Sequence, residues 1–188
     1  MVVGELQHLT LVTGPASSGK SLFAEQLVAA ANTPVTYMAT GPQRPDDPDW
    51  QCRLRRHRER RPPSWQCLEV GQDLSAALRQ CSAGRIVLVD SLGTWVAGAL
   101  ALDGPAWQAC CQDLIDSIAS APVPLVLVGE EAGWGVVPAT AIGGLFRQRL
   151  GQLLQDLIPS CDGAWLVLHG RALNLLAISQ PIPTAPPP

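Results

Sequence analysis

The chain has 188 residues, 47% hydrophobic and 15% charged, which suits one domain with a full core. A net charge of −3 and a pI near 5.5 argue against a general nucleic-acid binder, whose binding face is strongly basic. No apolar run reaches the roughly 18–20 residues that span a bilayer, and the N-terminus MVVGELQHLTLV lacks the basic region and cleavage site of a signal peptide, so the chain reads as soluble and cytoplasmic.

In chain order, LTLVTG (9–14) is a short β-rich run ending at glycine, and SLFAEQLVAAA (21–31) carries Leu22, Phe23, Gln26, Leu27 and Ala30 at helical spacing. PVTYMAT (34–40) reads as a second strand, and the segment 44–60 as a helix from about Asp49, broken by Pro62 and Pro63. A short strand follows around Trp65–Val70, then a helix over 73–81 and an apolar strand over 85–92. One or two helices fill the stretch to Ser120; a buried strand spans 124–131 and a long helix 139–161. GAWLVLHG (163–170) and RALNLLAIS (171–179) read as closing strands in a hairpin. Continuous apolar strands separated by helices imply an α/β fold with a mostly parallel sheet covered on both faces. Ligands in such sheets bind beyond the carboxyl ends of the strands. One domain over 1–178 and a proline-rich, disordered tail over 179–188 complete the expectation.

Gly14, Pro15, Ala16, Ser17, Ser18, Gly19, Lys20 and Ser21 fit the pattern G-x-x-x-x-G-K-[ST] between a strand and a helix. Backbone N–H groups of such a loop curl around phosphate oxygens, and the helix N-terminus adds a positive field end. Lys20 then reaches the β and γ phosphates, and the Ser21 hydroxyl ligates Mg²⁺. Asp90 ends the run RIVLVD, where a metal-side carboxylate of this arrangement belongs; with Ser21 it forms the expected metal pair. The alternative for Asp90 is a cap on the next helix, together with Ser91. Glu130 and Glu131 end PLVLVGEE in the same way, and neighbouring strand residues point oppositely, so at most one faces the site.

Arg53, Arg55, Arg56, Arg58, Arg60 and Arg61 hold six of the thirteen basic residues. On a helix, Arg53, His57 and Arg60 or Arg61 share a face. A histidine among like charges is pushed toward neutrality, and a neutral imidazole is a nucleophile toward phosphorus. A solvated basic face with an incidental histidine is the alternative. His8 and His169 fall at strand positions and read as structural. The six cysteines show no C-x-x-C or zinc spacing and read as free thiols, mostly core or partly buried.

Taken in order, the loop, YMAT (37–40), DD…R…H…RP…W (46–65), VD-x-L-x-x-W (89–95), E-x-G-x-G-x-VP (131–138), FR-x-x-LG (146–151) and WLVLHG (165–170) resemble the bifunctional adenosylcobinamide kinase / adenosylcobinamide-phosphate guanylyltransferase family of cobalamin biosynthesis. The resemblance spans residues 9–178. It implies a P-loop NTPase of RecA-like, three-layer fold, a homotrimer, and two reactions. Adenosylcobinamide is phosphorylated by ATP or GTP, and GMP then passes from GTP to adenosylcobinamide phosphate through a guanylylated histidine. That histidine is His57, with Lys20 as its catalytic companion. The resemblance adds Arg53, Arg61, Glu69 and Asp90 to the loop as nucleotide-binding residues, and Mg²⁺ as the metal. The partners it implies are small molecules, with neither nucleic acid nor membrane. The chain departs from the family at Pro15 and Ser17 (glycine and arginine in the family), Ser91 (cysteine), Glu130 (asparagine) and Leu154 (asparagine). A plain P-loop kinase with a structural His57, a RecA-like binding module and a degenerate nucleotide-binding subunit are the alternatives.

Overall fold

The computed structural model describes residues 7–182, the side chain of Arg53 excepted. Residues 183–188 of the expected tail lie outside the described residues; 179–182 carry neither helix nor strand. The described residues form seven strands and seven α-helices, in the order β1 (Leu9–Gly14), α1 (Lys20–Ala30), β2 (Val35–Ala39), α2 (Pro48–Arg60), β3 (Gln66–Glu69), α3 (Leu74–Arg79), β4 (Ile86–Asp90), α4 (Leu92–Gly98), α5 (Gly104–Ala119), β5 (Leu125–Glu130), α6 (Ala141–Leu157), β6 (Gly163–Leu168), β7 (Arg171–Asn174) and α7 (Leu175–Ile178), with a 3-10 turn over Ile158–Ser160 after α6. All strands join one sheet in the order β3-β2-β4-β5-β1-β6-β7. Every pairing is parallel except that of β7 with β6.

The central strands are apolar throughout because both faces are covered. Leu9, Leu11, Val87, Val89, Leu125 and Leu127 point into a core shared with α3, α4, α5 and α6. Their neighbours Val12, Ile86, Leu88, Val126 and Val128 point the other way, against Ala24, Leu27 and Val28 of α1. Three layers result. Parallel register also aligns the strand ends that matter: Ala39 pairs with both Glu69 and Asp90, and Gly14 pairs with Glu130. One edge of the sheet therefore gathers the phosphate loop and three carboxylates.

Three local expectations are corrected. The buried face of α1 is Lys20, Ala24, Glu25, Leu27 and Val28, while Leu22 is exposed. Lys20 and Glu25 share the apolar face because each has a polar partner there. The closing segment is extended only to Asn174, whose side chain accepts from Ala177 N at 3.2 Å and starts α7. His8 and His169 are exposed and precede or leave strands; His169 sits in the β6–β7 turn at φ 50°. The cysteines are free: Cys161 is buried, Cys81, Cys110 and Cys111 are half-buried, and Cys52 and Cys67 are exposed.

Candidate active site

The phosphate loop connects β1 to α1 with no slack. A Cβ on Gly14 would stand 2.4 Å from the Val167 carbonyl oxygen and 2.7 Å from Ser18 Oγ, so only glycine fits. Gly19 takes φ 97°, which glycine adopts without cost; Ser17 holds φ 60°. Both ends are pinned by backbone: Glu131 N donates to Gly14 O at 2.8 Å, and Gly170 N to Ser18 O at 3.0 Å. The N-cap Gly19 brings no side-chain cap to α1; Lys20 N donates to Ser18 Oγ at 3.4 Å, and the helix N-terminus is oriented toward an anion. Lys20 is buried at the head of the helix, with Nζ donating to Pro15 O at 3.3 Å. Its ammonium thus folds over the loop where phosphate oxygens would lie.

Asp90 is the centre of the polar cluster. Its Oδ1 accepts from Ser21 Oγ at 3.4 Å, its Oδ2 accepts from Tyr37 Oη at 2.7 Å, and His57 Nδ1 stands 3.6 Å from Oδ2. Burial alone would raise the Asp90 carboxyl, but the groups of His57, Tyr37 and Ser21 outweigh it and hold the carboxyl below its usual range. Burial, with Asp90 alongside, pushes the Tyr37 phenol well above its usual range. Ser21 and Asp90 present two hard oxygens side by side. No group of three or more His, Cys, Asp or Glu gathers among the described residues. That donor set fits Mg²⁺, which takes one or two protein oxygens and completes its shell with water and phosphates.

Asp90 does not cap the following helix. Ser91 does, in a reciprocal capping box with Thr94. Glu130 reinforces it: Ser91 Oγ donates to Oε1 at 2.5 Å and Gly93 N to Oε2 at 2.9 Å. Burial pushes the Glu130 carboxyl up, against the opposing pull of Ser91 and Lys20. Glu131 turns into its own loop and accepts from Gly133 N at 2.5 Å. Of the adjacent acids, Glu130 is the one beside the site.

Helix α2 starts at the Asp47 cap, whose side chain accepts from Trp50 N at 3.0 Å. It brings His57 to the strand edge. Arg60 fastens the helix, donating from Nε and Nη2 to the two oxygens of Glu25 on α1, each at 3.1 Å. The expectation of a histidine surrounded by like charge is corrected here. His57 faces the Asp90 carboxylate, and its cationic neighbour Arg60, 3.4 Å away, is neutralised by Glu25. Sequence spacing sees neighbours on one helix and not the strand end beneath it.

Arg61, just past α2, sits over the Tyr37 ring with its Cζ 3.4 Å from the centroid. Its buried Nε has no hydrogen-bond partner among the described residues, and its Nη1 reaches only Cys67 Sγ at 3.9 Å. Arg61, Arg58, Trp65, Cys67 and Glu69 line a cleft of about 310 Å³ next to the end of β2, at the lower end of the size range of small-molecule sites. Glu69 pairs with Arg58 at 2.8 Å and accepts from Gln43. The structure thus brings Lys20, Ser21, Asp90 and His57 into one cluster and sets Arg61 and Glu69 in the adjoining cleft. The Arg53 side chain lies outside the described residues. Sequence reasoning passed over Tyr37 and Glu25. Tyr37 lies within the quoted YMAT segment, but its strand position alone carried no role.

The family model described as cobinamide kinase / cobinamide phosphate guanyltransferase matches residues 10–175. The bifunctional adenosylcobalamin biosynthesis protein CobP of Pseudomonas aeruginosa is 34% identical over 167 residues, covering 88% of this chain and 95% of the relative. The Escherichia coli protein CobU, of the same description, is 32% identical over 182 residues, with 89% and 99% covered. Among solved structures, a Pyrococcus horikoshii protein gives a TM-score of 0.52 at 8% identity, covering 92% of this chain and 87% of its own. An ATPase of the type III secretion system of pathogenic bacteria gives 0.51 at 10%, with 85% and 50% covered. The fold is the P-loop, RecA-like α/β arrangement.

Proposed function

Because the chain belongs to the cobinamide kinase / cobinamide phosphate guanyltransferase family, we propose that it carries out both reactions on adenosylcobinamide with the residues gathered at this sheet edge. In the kinase step the loop amides, Lys20 and the α1 terminus hold the triphosphate of ATP or GTP. Ser21 and Asp90 would hold Mg²⁺, which when bound neutralises phosphate charge. The substrate hydroxyl attacks the γ-phosphorus and releases its proton to solvent; the new O–P bond replaces the γ–β bridge, and the nucleoside diphosphate leaves.

In the second step a His57 nitrogen attacks the α-phosphorus of GTP. A P–N bond forms, the α–β bridge breaks, and pyrophosphate leaves. A phosphate oxygen of adenosylcobinamide phosphate then attacks the same phosphorus, breaks the P–N bond and restores the imidazole, giving adenosylcobinamide-GDP. His57 Nδ1 lies between Asp90 Oδ2 at 3.6 Å, which only accepts, and Arg60 Nη2 at 3.4 Å, which only donates; the reactive tautomer is the one with the proton on Nδ1, facing Asp90, and the lone pair on Nε2. Arg53, Arg61 and Glu69 serve the nucleotide, with the free donors of Arg61 suited to phosphate oxygens.

The observation that carries this reading is the placement of His57 Nδ1 3.6 Å from the carboxylate that also meets the loop serine. A plain kinase has no need of a histidine there. We further propose a cytoplasmic homotrimer. Trp134, Val136, Val137 and Ile142 are 61%, 94%, 80% and 60% exposed in one stretch, an apolar surface of the kind subunits cover. The net negative charge speaks against nucleic acid as a partner. The test is product analysis with adenosylcobinamide, ATP and GTP. The protein yields adenosylcobinamide-GDP, and His57→Asn stops at adenosylcobinamide phosphate. A His57→Asn variant that still makes the GDP product contradicts the assignment.

A further inference from the structure

We infer that Tyr37 is a positioning residue of the guanylyl-transfer step, acting on His57 through Asp90 and on the nucleotide through Arg61. The inference rests on the proposed histidine mechanism. Tyr37 is 2% exposed and stands in the middle of β2, one strand over from Asp90. Its hydroxyl donates to Oδ2 at 2.7 Å, the same oxygen that His57 Nδ1 approaches at 3.6 Å. The other oxygen, Oδ1, is the one that meets Ser21. A carboxylate turns about its last bond with little resistance. The phenol hydrogen bond holds Oδ2 on the histidine side, while Oδ1 keeps its own partner in Ser21.

The ring of the same residue has a second job. Its face carries the Arg61 guanidinium at 3.4 Å, an arginine with no carboxylate partner among the described residues. Held over the ring, Arg61 lines the cleft with its Nε unpartnered among the described residues. Hydroxyl and ring therefore act on separate quantities. The hydroxyl governs the orientation of the nucleophile, and the ring governs the hold on the nucleotide.

Two substitutions separate them. Tyr37→Phe keeps the ring and loses the hydroxyl. The rate of protein labelling by GTP labelled at the α-phosphate should fall about 10-fold, with the GTP concentration for half-maximal rate changed less than about 2-fold. The ratio of transferase to kinase rate on the same preparation should fall by about the same 10-fold factor, a readout independent of the folded fraction. Tyr37→Leu also removes the platform, and its half-maximal GTP concentration should rise about 5-fold above that of Tyr37→Phe. Tyr37→Phe labelled at the wild-type rate, or losing both activities in equal proportion, overturns the inference while leaving the histidine mechanism in place. Wild-type protein that takes up no label overturns both.

Discussion

Arg60→Ala offers a quantitative test of how α2 is held. The Arg60–Glu25 pair has two hydrogen bonds of 3.1 Å, with the Glu25 side chain 8% exposed and that of Arg60 36%. Truncating one partner of a fully buried pair costs about 3–5 kcal/mol, whereas an exposed pair contributes about 0–1. With one buried and one half-exposed partner, about 2 kcal/mol is expected. For a chain of this size that is a fall in Tm of about 4–8 °C. Most of that cost is the Glu25 carboxylate left in an apolar face without its cation. The double variant Glu25→Gln/Arg60→Ala should therefore recover about half of the loss. Function should suffer separately, because α2 carries His57. A displacement of about 1 Å at the nucleophile reduces the labelling rate by on the order of 10- to 100-fold, and the double variant should not recover that loss. Thermal melts of the four members of the cycle, with labelling rates on each, supply the numbers. Additive single effects, or an Arg60→Ala melt unchanged from wild type, would refute the reasoning.

Other outcomes follow from the same geometry. Gly14→Ala places a methyl carbon against the fixed Val167 carbonyl; it should cost about 2 kcal/mol in denaturant melts and weaken nucleotide binding by calorimetry about 10-fold or more. Glu130 has its carboxyl raised by burial, so the folded chain holds that proton at pH values where the unfolded chain releases it. Its contribution to stability then falls as pH rises from the ordinary carboxylate range to the raised value. Glu130→Gln keeps an acceptor for Gly93 N and should flatten that part of the pH–stability curve. An unchanged slope in paired melts would contradict the burial argument.

The parts of the molecule legible in the sequence are those set by local patterns. β1, the loop and α1 follow from an apolar run, two glycines and a Lys-Ser pair; β4 and β5 follow from runs too apolar to face water on either side. What escaped depends on partners distant in sequence. The buried face of α1 is decided by where Lys20 and Glu25 find the loop carbonyl and Arg60. The surroundings of His57 are decided by parallel register, which places Asp90, 33 positions further along the chain, beneath α2. Tyr37 shows the same limit: an aromatic in a strand reads as core, and only the fold reveals the carboxylate at its hydroxyl and the guanidinium on its ring. The helical turn at Leu175 escaped because a β-rich hairpin pattern runs on past the Asn174 cap that ends it.

The most direct test of the central claim is incubation of the purified protein with Mg²⁺ and GTP labelled at the α-phosphate, followed by denaturation and separation. The account predicts label retained on the protein, labile to acid and stable to base as a phosphoramidate is, and absent from His57→Asn. Folded protein that binds GTP and retains no label, or a His57→Asn variant labelled like the wild type, would contradict it.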